Sequence, residues 1–385
     1  MRLRLFTVIA ILITSSAFAA DAHYAIIIDA GSSGSRLHLY QYELDHDIPV
    51  IQEKFSASTK PGLSAFVANP EAAGESLAKM LDGATTALKA ANLDPHTIPI
   101  SILATAGMRL LPEAKQVVIY QDVLKYLQKH YAFPVSRLET ISGKMEGVYG
   151  WLDVNYLSNH FQDNHTLGSI DMGGASTEIA FDTADMSQPD DVVTVKIGQN
   201  TYNVFSKSFL GLGQDQALSA INKEKAANAC YPRNYPLGNT PGQFDFGVCT
   251  TLYNQLLQAH QVIESIPPLG NQSFVAFSGA YYTLHFFAID NSPGDDNLEK
   301  ALHYVCSNSW EQLQQDYPNE APPYLARYCA NGVYLDNLLF HAYQLQPDHL
   351  KVVTRINNQD VDWALGAMLF EVAQDSQGAL VTAGS

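Results

Sequence analysis

Apolar residues first fall at strand spacing and then at helix spacing. Tyr24–Ile28 is a short apolar run, Arg36–Glu43 alternates, and Ile48–Phe55 makes a third strand, so the chain opens on a three-strand meander. Leu77, Leu81, Ala84 and Leu88 then recur every three or four positions, which predicts a helix over Glu71–Leu93. A strand at Pro99–Leu103, a helix at Pro112–Tyr131, a strand at Arg137–Ile141 and a helix at Met145–Leu157 complete one α/β lobe. The pattern restarts at Leu167, with strands at Gly168–Asp171, Ser176–Asp182 and Val192–Ile197. Helical stretches follow around Asp215–Ala227 and Leu252–Ser265, then a strand at Phe274–Phe277 feeding a helix from Ala280. Asn228–Gly247 and Asp290–Pro323 read as irregular, and a last helix near Trp363–Val372 returns to the first lobe. The expectation is a duplicated α/β fold with its active site between the copies. Residues 21–143 with 361–385 make lobe I, and 144–360 make lobe II.

The N-terminus stands apart from this pattern. Arg2 and Arg4 precede an apolar stretch from Leu5 to Ile13, and Ala17-Phe18-Ala19 supplies a small-x-small cleavage site. Residues 1–20 therefore read as a secretory signal peptide cut near Ala19 or Ala20. The run is shorter than the roughly 20 apolar residues that a spanning helix needs. The mature chain is expected to be secreted or periplasmic, without a membrane anchor, and monomeric. In an oxidising compartment the four cysteines read as two disulfides. Their order favours Cys230–Cys249 and Cys306–Cys329, with three connectivities open. A net charge of −17 argues against a nucleic-acid partner but not against a nucleotide, since a divalent cation can supply positive charge locally.

Two glycine-rich loops, each with an aspartate at the end of an apolar strand, carry the candidate chemistry. They are Ile28-Asp29-Ala30-Gly31-Ser32-Ser33-Gly34-Ser35 and Ile170-Asp171-Met172-Gly173-Gly174-Ala175-Ser176-Thr177. Glycine lets backbone N–H groups turn toward a phosphate, and the hydroxyls add donors. An aspartate beside an anion would repel it, so Asp29 and Asp171 read as holders of a metal ion that the phosphates share, through water because Mg²⁺ dehydrates reluctantly. Glu146, at the start of a predicted helix, suits a general base; a helix-start glutamate that merely satisfies the macrodipole is the ordinary alternative. No Walker-type loop is present, and Ser76-Leu77-Ala78-Lys79 lacks the companion motifs of acyl-transfer enzymes.

Five blocks, in order and spacing, resemble the conserved regions of the ecto-nucleoside triphosphate diphosphohydrolases, or apyrases, within the actin-like ATPase superfamily. They are Ile28–Arg36, Ala104–Arg109, Ser142–Trp151, Asp171–Thr177 and Trp363–Gly366. The resemblance implies two RNase H-like lobes and Mg²⁺- or Ca²⁺-dependent hydrolysis of nucleoside tri- and diphosphates to the monophosphate. It implies that Glu146 activates the attacking water and that Ser176 and position 178 orient it. Position 178 is glutamate where the family usually has glutamine. That departure brings the block nearer the exopolyphosphatases of the superfamily, which stay as the rival. Gly31, Ser32, Ser33, Gly34, Ser35, Thr105, Gly173, Gly174, Ala175 and Ser176 would face phosphate. Arg109 is left open between a catalytic and a structural role. Tyr282 would stack on the base, with Gln214 in a second base-side loop where many relatives have arginine. Few cysteines and a short leader lean toward a bacterial product.

Overall fold

The computed structural model describes residues 22–44, 46–163, 165–291 and 293–375. The signal-peptide reading, the end of the chain after Asp375 and Asn164 lie outside the described residues. Among the described residues no helix is long and apolar enough to cross a membrane.

The first half runs β1 (His23–Ala30), β2 (Ser35–Glu43), β3 (Val50–Thr59), α1 (Glu71–Ser76), α2 (Ala78–Ala90), β4 (Ile100–Ala104), α3 (Ala106–Arg109), α4 (Glu113–His130) and β5 (Val135–Thr140). The second half opens with α5 (Gly143–Leu157), α6 (His160–Asp163), β6 (Gly168–Met172), β7 (Ser176–Asp182), β8 (Val192–Ile197) and β9 (Asn200–Leu210). Next come α7 (Gln214–Ile221), α8 (Phe246–Ala259), β10 (Phe274–Ser278), α9 (Gly279–Phe286), α10 (Asp295–Cys306), α11 (Trp310–Asp316) and α12 (Pro322–Leu335). A π-helical turn at Asp336–Ala342, β11 (Leu350–Val352), a small hairpin of β12 (Arg355–Ile356) and β13 (Gln359–Asp360), and α13 (Ala364–Asp375) follow.

The two sheets have the same plan. The first is ordered β3-β2-β1-β4-β5 and the second β11-β10-β6-β7-β9-β8. In each, a meander built on the leading strand (β1 or β6) is antiparallel, and the strands on that strand's other side run parallel to it. The duplication places Asp29 opposite Arg36 and Asp171 opposite Glu178 at matching points of the two hairpins. The meander strand next to β7 is β9, not the expected Val192–Ile197, which lies beyond it at the edge. Strand β9 escaped the pattern because Asn203, Ser206, Lys207 and Ser208 interrupt its apolar run.

Other boundaries also move. The helix expected over Glu71–Leu93 breaks at Leu77. Helix α7 stops at Ile221 rather than Ala227. Helix α8 starts at Phe246, six residues before the expected Leu252, because the Asp245 side chain accepts the Val248 N–H at 3.0 Å and caps it. The expected loop at Asp290–Pro323 contains α10 and α11. Asp295 and Asp296 in the first turn of α10, with buried Leu298, Leu302 and Val305, form an ordinary amphipathic helix that Pro293-Gly294 just before it obscures. The cysteines pair as Cys230–Cys249 and Cys306–Cys329.

A central core joins the sheets. Helix α5 lies against the second sheet and packs along α13, so apolar and polar positions alike are buried around its whole circumference. Trp151, Tyr149, Trp363 and Met368 belong to that core, together with Ile27 of β1 and Phe277 of β10. Gly366 permits the crossing: a Cβ there would stand 1.8 Å from the Tyr149 carbonyl oxygen. Gly366→Ala would gain about 1 kcal/mol of helix propensity, but backbone cannot yield as a side chain can. A net destabilisation of about 3 kcal/mol, at the upper end for overpacking, is expected in urea unfolding. An unchanged midpoint would contradict the close crossing.

Candidate active site

Asp29 and Asp171 are the penultimate residues of β1 and β6, and the two glycine loops turn directly after them. The loops meet across a cleft of about 550 Å³. Ser32 Oγ lies only 2.9 Å from where a Cβ on Gly174 would sit, so glycine at 174 lets the tips approach. Gly31, Ser32, Ser33, Thr105, Gly173 and Gly174 line the cleft, as do Asp29, Glu146 and Asp171. Gly34 and Ser35 sit further back: Gly34 packs on the Thr59 carbonyl, and Ser35 begins β2, fully buried. Ala175 is also buried, its carbonyl accepting the Gly211 N–H at 2.8 Å.

One cation organises the carboxylates. Arg109 Nη2 donates to Glu146 Oε2 at 2.7 Å and to Ser176 Oγ at 2.9 Å, and lies 3.4 Å from Glu178 Oε1. Its Nη1 reaches the Ile141 carbonyl at 3.5 Å. Arg109 therefore ties the loop down and also holds the acidic cluster. Glu178 Oε1 further accepts from Ser176 Oγ at 2.5 Å and from Ser208 Oγ at 2.7 Å. Ser142 caps α5, its hydroxyl accepting the Met145 N–H, which sets Glu146 in the helix's first turn.

Burial dominates the electrostatics. It pushes Asp29 up to about 7, against the pull of Arg36. It raises Asp171 to about 6, partly countered by a hydrogen bond from Ser278 and by Arg36. Burial and the neighbouring Asp171 raise Glu178 to about 7, with Arg109 opposing. Glu146 is pushed well above the carboxylate range by burial first and Glu178 second, again with Arg109 opposing. Glu146 and Glu178 are close enough to titrate as a coupled pair, each raised by burial.

The donors fit a hard divalent cation. Glu146, Asp171 and Glu178 each offer an oxygen, all within 4.8 Å of one another. Asp29 stands outside that trio, with Oδ2 3.3 Å from Arg36 Nη1 and Oδ1 buried without a hydrogen-bond partner. An all-oxygen set is the donor type of Mg²⁺ and Ca²⁺.

At the cleft's exposed end stand Tyr282, Tyr324 and Arg327, with Tyr282 62% exposed. Gln214 lines the cleft, but its Nε2 donates to the Gly279 carbonyl and Thr283 Oγ1, both at 2.9 Å, and so holds the turn that carries Tyr282. Ser278 enters that turn at φ 58° and ψ −128°, a strained backbone for a residue with a Cβ. Arg327 and Tyr324 carried no signal in the sequence, because each reaches the cleft through tertiary structure.

The profile of the GDA1/CD39 (nucleoside phosphatase) family matches residues 15–379. The chain belongs to that family. It is 29% identical to probable apyrase 4 of Arabidopsis thaliana, over 91% of this chain and 80% of that protein. It is 27% identical to ectonucleoside triphosphate diphosphohydrolase 1 of Mus musculus, over 91% and 81%. Among solved structures it resembles a nucleoside triphosphate hydrolase from Neospora caninum, with TM-score 0.69 and 14% identity over 92% of this chain and 93% of that one. It also resembles an Aquifex aeolicus member of the Ppx/GppA family, with TM-score 0.58 and 15% identity over 92% and 99%. This nucleoside phosphatase family member is a phosphoanhydride hydrolase with the two-lobed, actin-like architecture.

The raised carboxylates set the sign of a pH effect. Their unfolded values lie near 3.8 for Asp and 4.5 for Glu, so the folded state holds more protons between about pH 4 and 7. Stability of the cation-free protein should therefore fall as pH rises through that window. Urea midpoints in chelator at pH 5 and pH 8 should show this fall, and Asp171→Asn should flatten it. An equal slope in the variant would contradict the assignment.

Proposed function

We propose that this chain removes terminal phosphates from nucleoside tri- and diphosphates, ending at the monophosphate, outside the cytoplasm and with a divalent cation. The observation that supports it most is the placing of Glu146 and Glu178 on one guanidinium, beneath two facing glycine loops. The lobes, taken as 21–143 with 361–385 and 144–360, close on the phosphate tail. Asp29 and Asp171 would hold the cation, directly or through water, with Glu146 and Glu178 in reach. When bound, it neutralises phosphate charge that the acidic cleft would otherwise repel. Backbone N–H groups of Ser32, Ser33 and Gly174, at the cleft surface, donate to phosphate oxygens, and the Thr105 hydroxyl faces the terminal phosphate.

Glu146 takes a proton from water as the water oxygen attacks phosphorus, and the bond to the bridging oxygen breaks in line. Arg109 opposes the rise that burial and Glu178 impose on Glu146, and so favours its ionised form. Ser176 and Glu178 orient the water. A protonated Glu178 has the donor and acceptor of a glutamine amide, and its rise to about 7 makes that form available near neutrality. Tyr282 stacks on the base, and Gln214 acts through Tyr282 by holding its turn.

Glu178 also favours a second reading, an exopolyphosphatase. The aromatic end of the cleft argues for a base instead. Phosphate release from ATP, ADP and long-chain polyphosphate separates the two: nucleotides should be preferred, and faster release from polyphosphate would reverse the reading. Glu146→Gln should lower turnover by about 10²–10⁴-fold with nucleotide binding retained; near wild-type hydrolysis would remove the base. Glu178→Gln should stay active and extend activity to higher pH, because its amide cannot lose the proton. An unchanged alkaline limb would count against the protonated form.

A further inference from the structure

A second acidic group lies away from the cleft, where α10 meets the end of α12. Asp295 opens α10, while Asp336 begins the π-helical turn and His341 lies near that turn's end. One ligand atom from each lies within 4.8 Å of the others. None of the three lines the catalytic cleft.

Asp336 is the anomaly. It is fully buried, and neither carboxylate oxygen has a hydrogen-bond partner. Among the described residues its one ion-pair contact is His341 Nε2, 3.5 Å from Oδ2, and the same nitrogen lies 3.8 Å from Asp295 Oδ1. Burial first and Asp295 second raise the Asp336 carboxyl, the two carboxyls lying close enough to share a proton, and Glu299, one turn along α10, adds further negative charge. A buried carboxylate facing a second carboxylate is strongly unfavourable unless a proton or a cation sits between them.

We propose that Asp295, Asp336 and His341 form a metal site distinct from the catalytic one. Two carboxylates and one imidazole suit a borderline divalent transition ion such as Zn²⁺ or Mn²⁺ rather than Ca²⁺. Bonds of about 2.0–2.2 Å in tetrahedral geometry hold ligand atoms about 3.3–3.6 Å apart, close to the separations seen. Asp295 and His341 are half-exposed, so the ion has an entry path and water can complete its shell. The site joins the first residue of α10 to the turn after α12. The Cys306–Cys329 disulfide joins the other end of α10 to α12, so the ion would be the second clamp on one helix pair.

The test is equilibrium dialysis of the full chain with Zn²⁺ and, separately, Mn²⁺, on wild type, His341→Ala and Asp336→Asn. The catalytic carboxylates are the same in all three and give a common background. Wild type should bind one equivalent more than either variant with at least one of the ions, and that ion should raise its melting temperature by more. His341→Ala replaces a half-exposed side chain and should fold and hydrolyse ATP as wild type in saturating Mg²⁺. Equal stoichiometry in all three proteins with both ions would overturn the site and leave Asp295 and Asp336 as a carboxyl pair sharing a proton.

Discussion

Four carboxylates buried at or just behind one cleft, with Arg109 and Arg36 as guanidiniums set against them, are the constraint around which the rest is arranged. Charges so placed are unstable as plain anions. They must take up protons, pair with a guanidinium, or hold a cation. The three-way grip of Arg109 is the second of these, and burial pushes Asp29, Asp171 and Glu178 toward the first. A nucleotide arriving with its metal ion brings the third. On the proposed function, substrate binding and the ionisation of Glu146 would be linked, because a cation entering the cleft would compete with protons for the carboxylates.

The duplicated sheets make this concentration of charge possible. Each copy ends its leading strand on an aspartate and follows it with a glycine turn, so facing the copies brings the two acidic tips together. The helices α5 and α13 hold the copies at contact distance, and α5 carries Glu146 at its first turn. A helix buried all round is poor at lying on a surface but suits a spacer between two sheets. Chemistry and architecture thus share one element.

How much of this was legible depended on how local each signal was. The glycine loops, the aspartates before them and Glu146 sit in short contiguous blocks, so their chemistry could be read residue by residue. The three arms of Arg109 could not, because they reach Glu146, Ser176 and Glu178 from separate elements. Gln214 was read for the base, but its amide nitrogen is engaged beneath the turn that carries Tyr282. Strand β9 was hidden by polar residues, one of which, Ser208, turns out to hydrogen-bond Glu178. Function had altered the very pattern that reveals strands. Helix α10 was hidden differently, by the Pro293-Gly294 break just before it.

The central claim is that protons and a divalent cation compete for the buried carboxylates. Calorimetry of Mg²⁺ binding in buffers of different ionisation enthalpy measures it directly, by counting protons released per cation. The account predicts release of about one proton per Mg²⁺ near pH 6.5, smaller at pH 9 and smaller in Glu178→Gln. Mg²⁺ binding with no proton release near neutrality would contradict it.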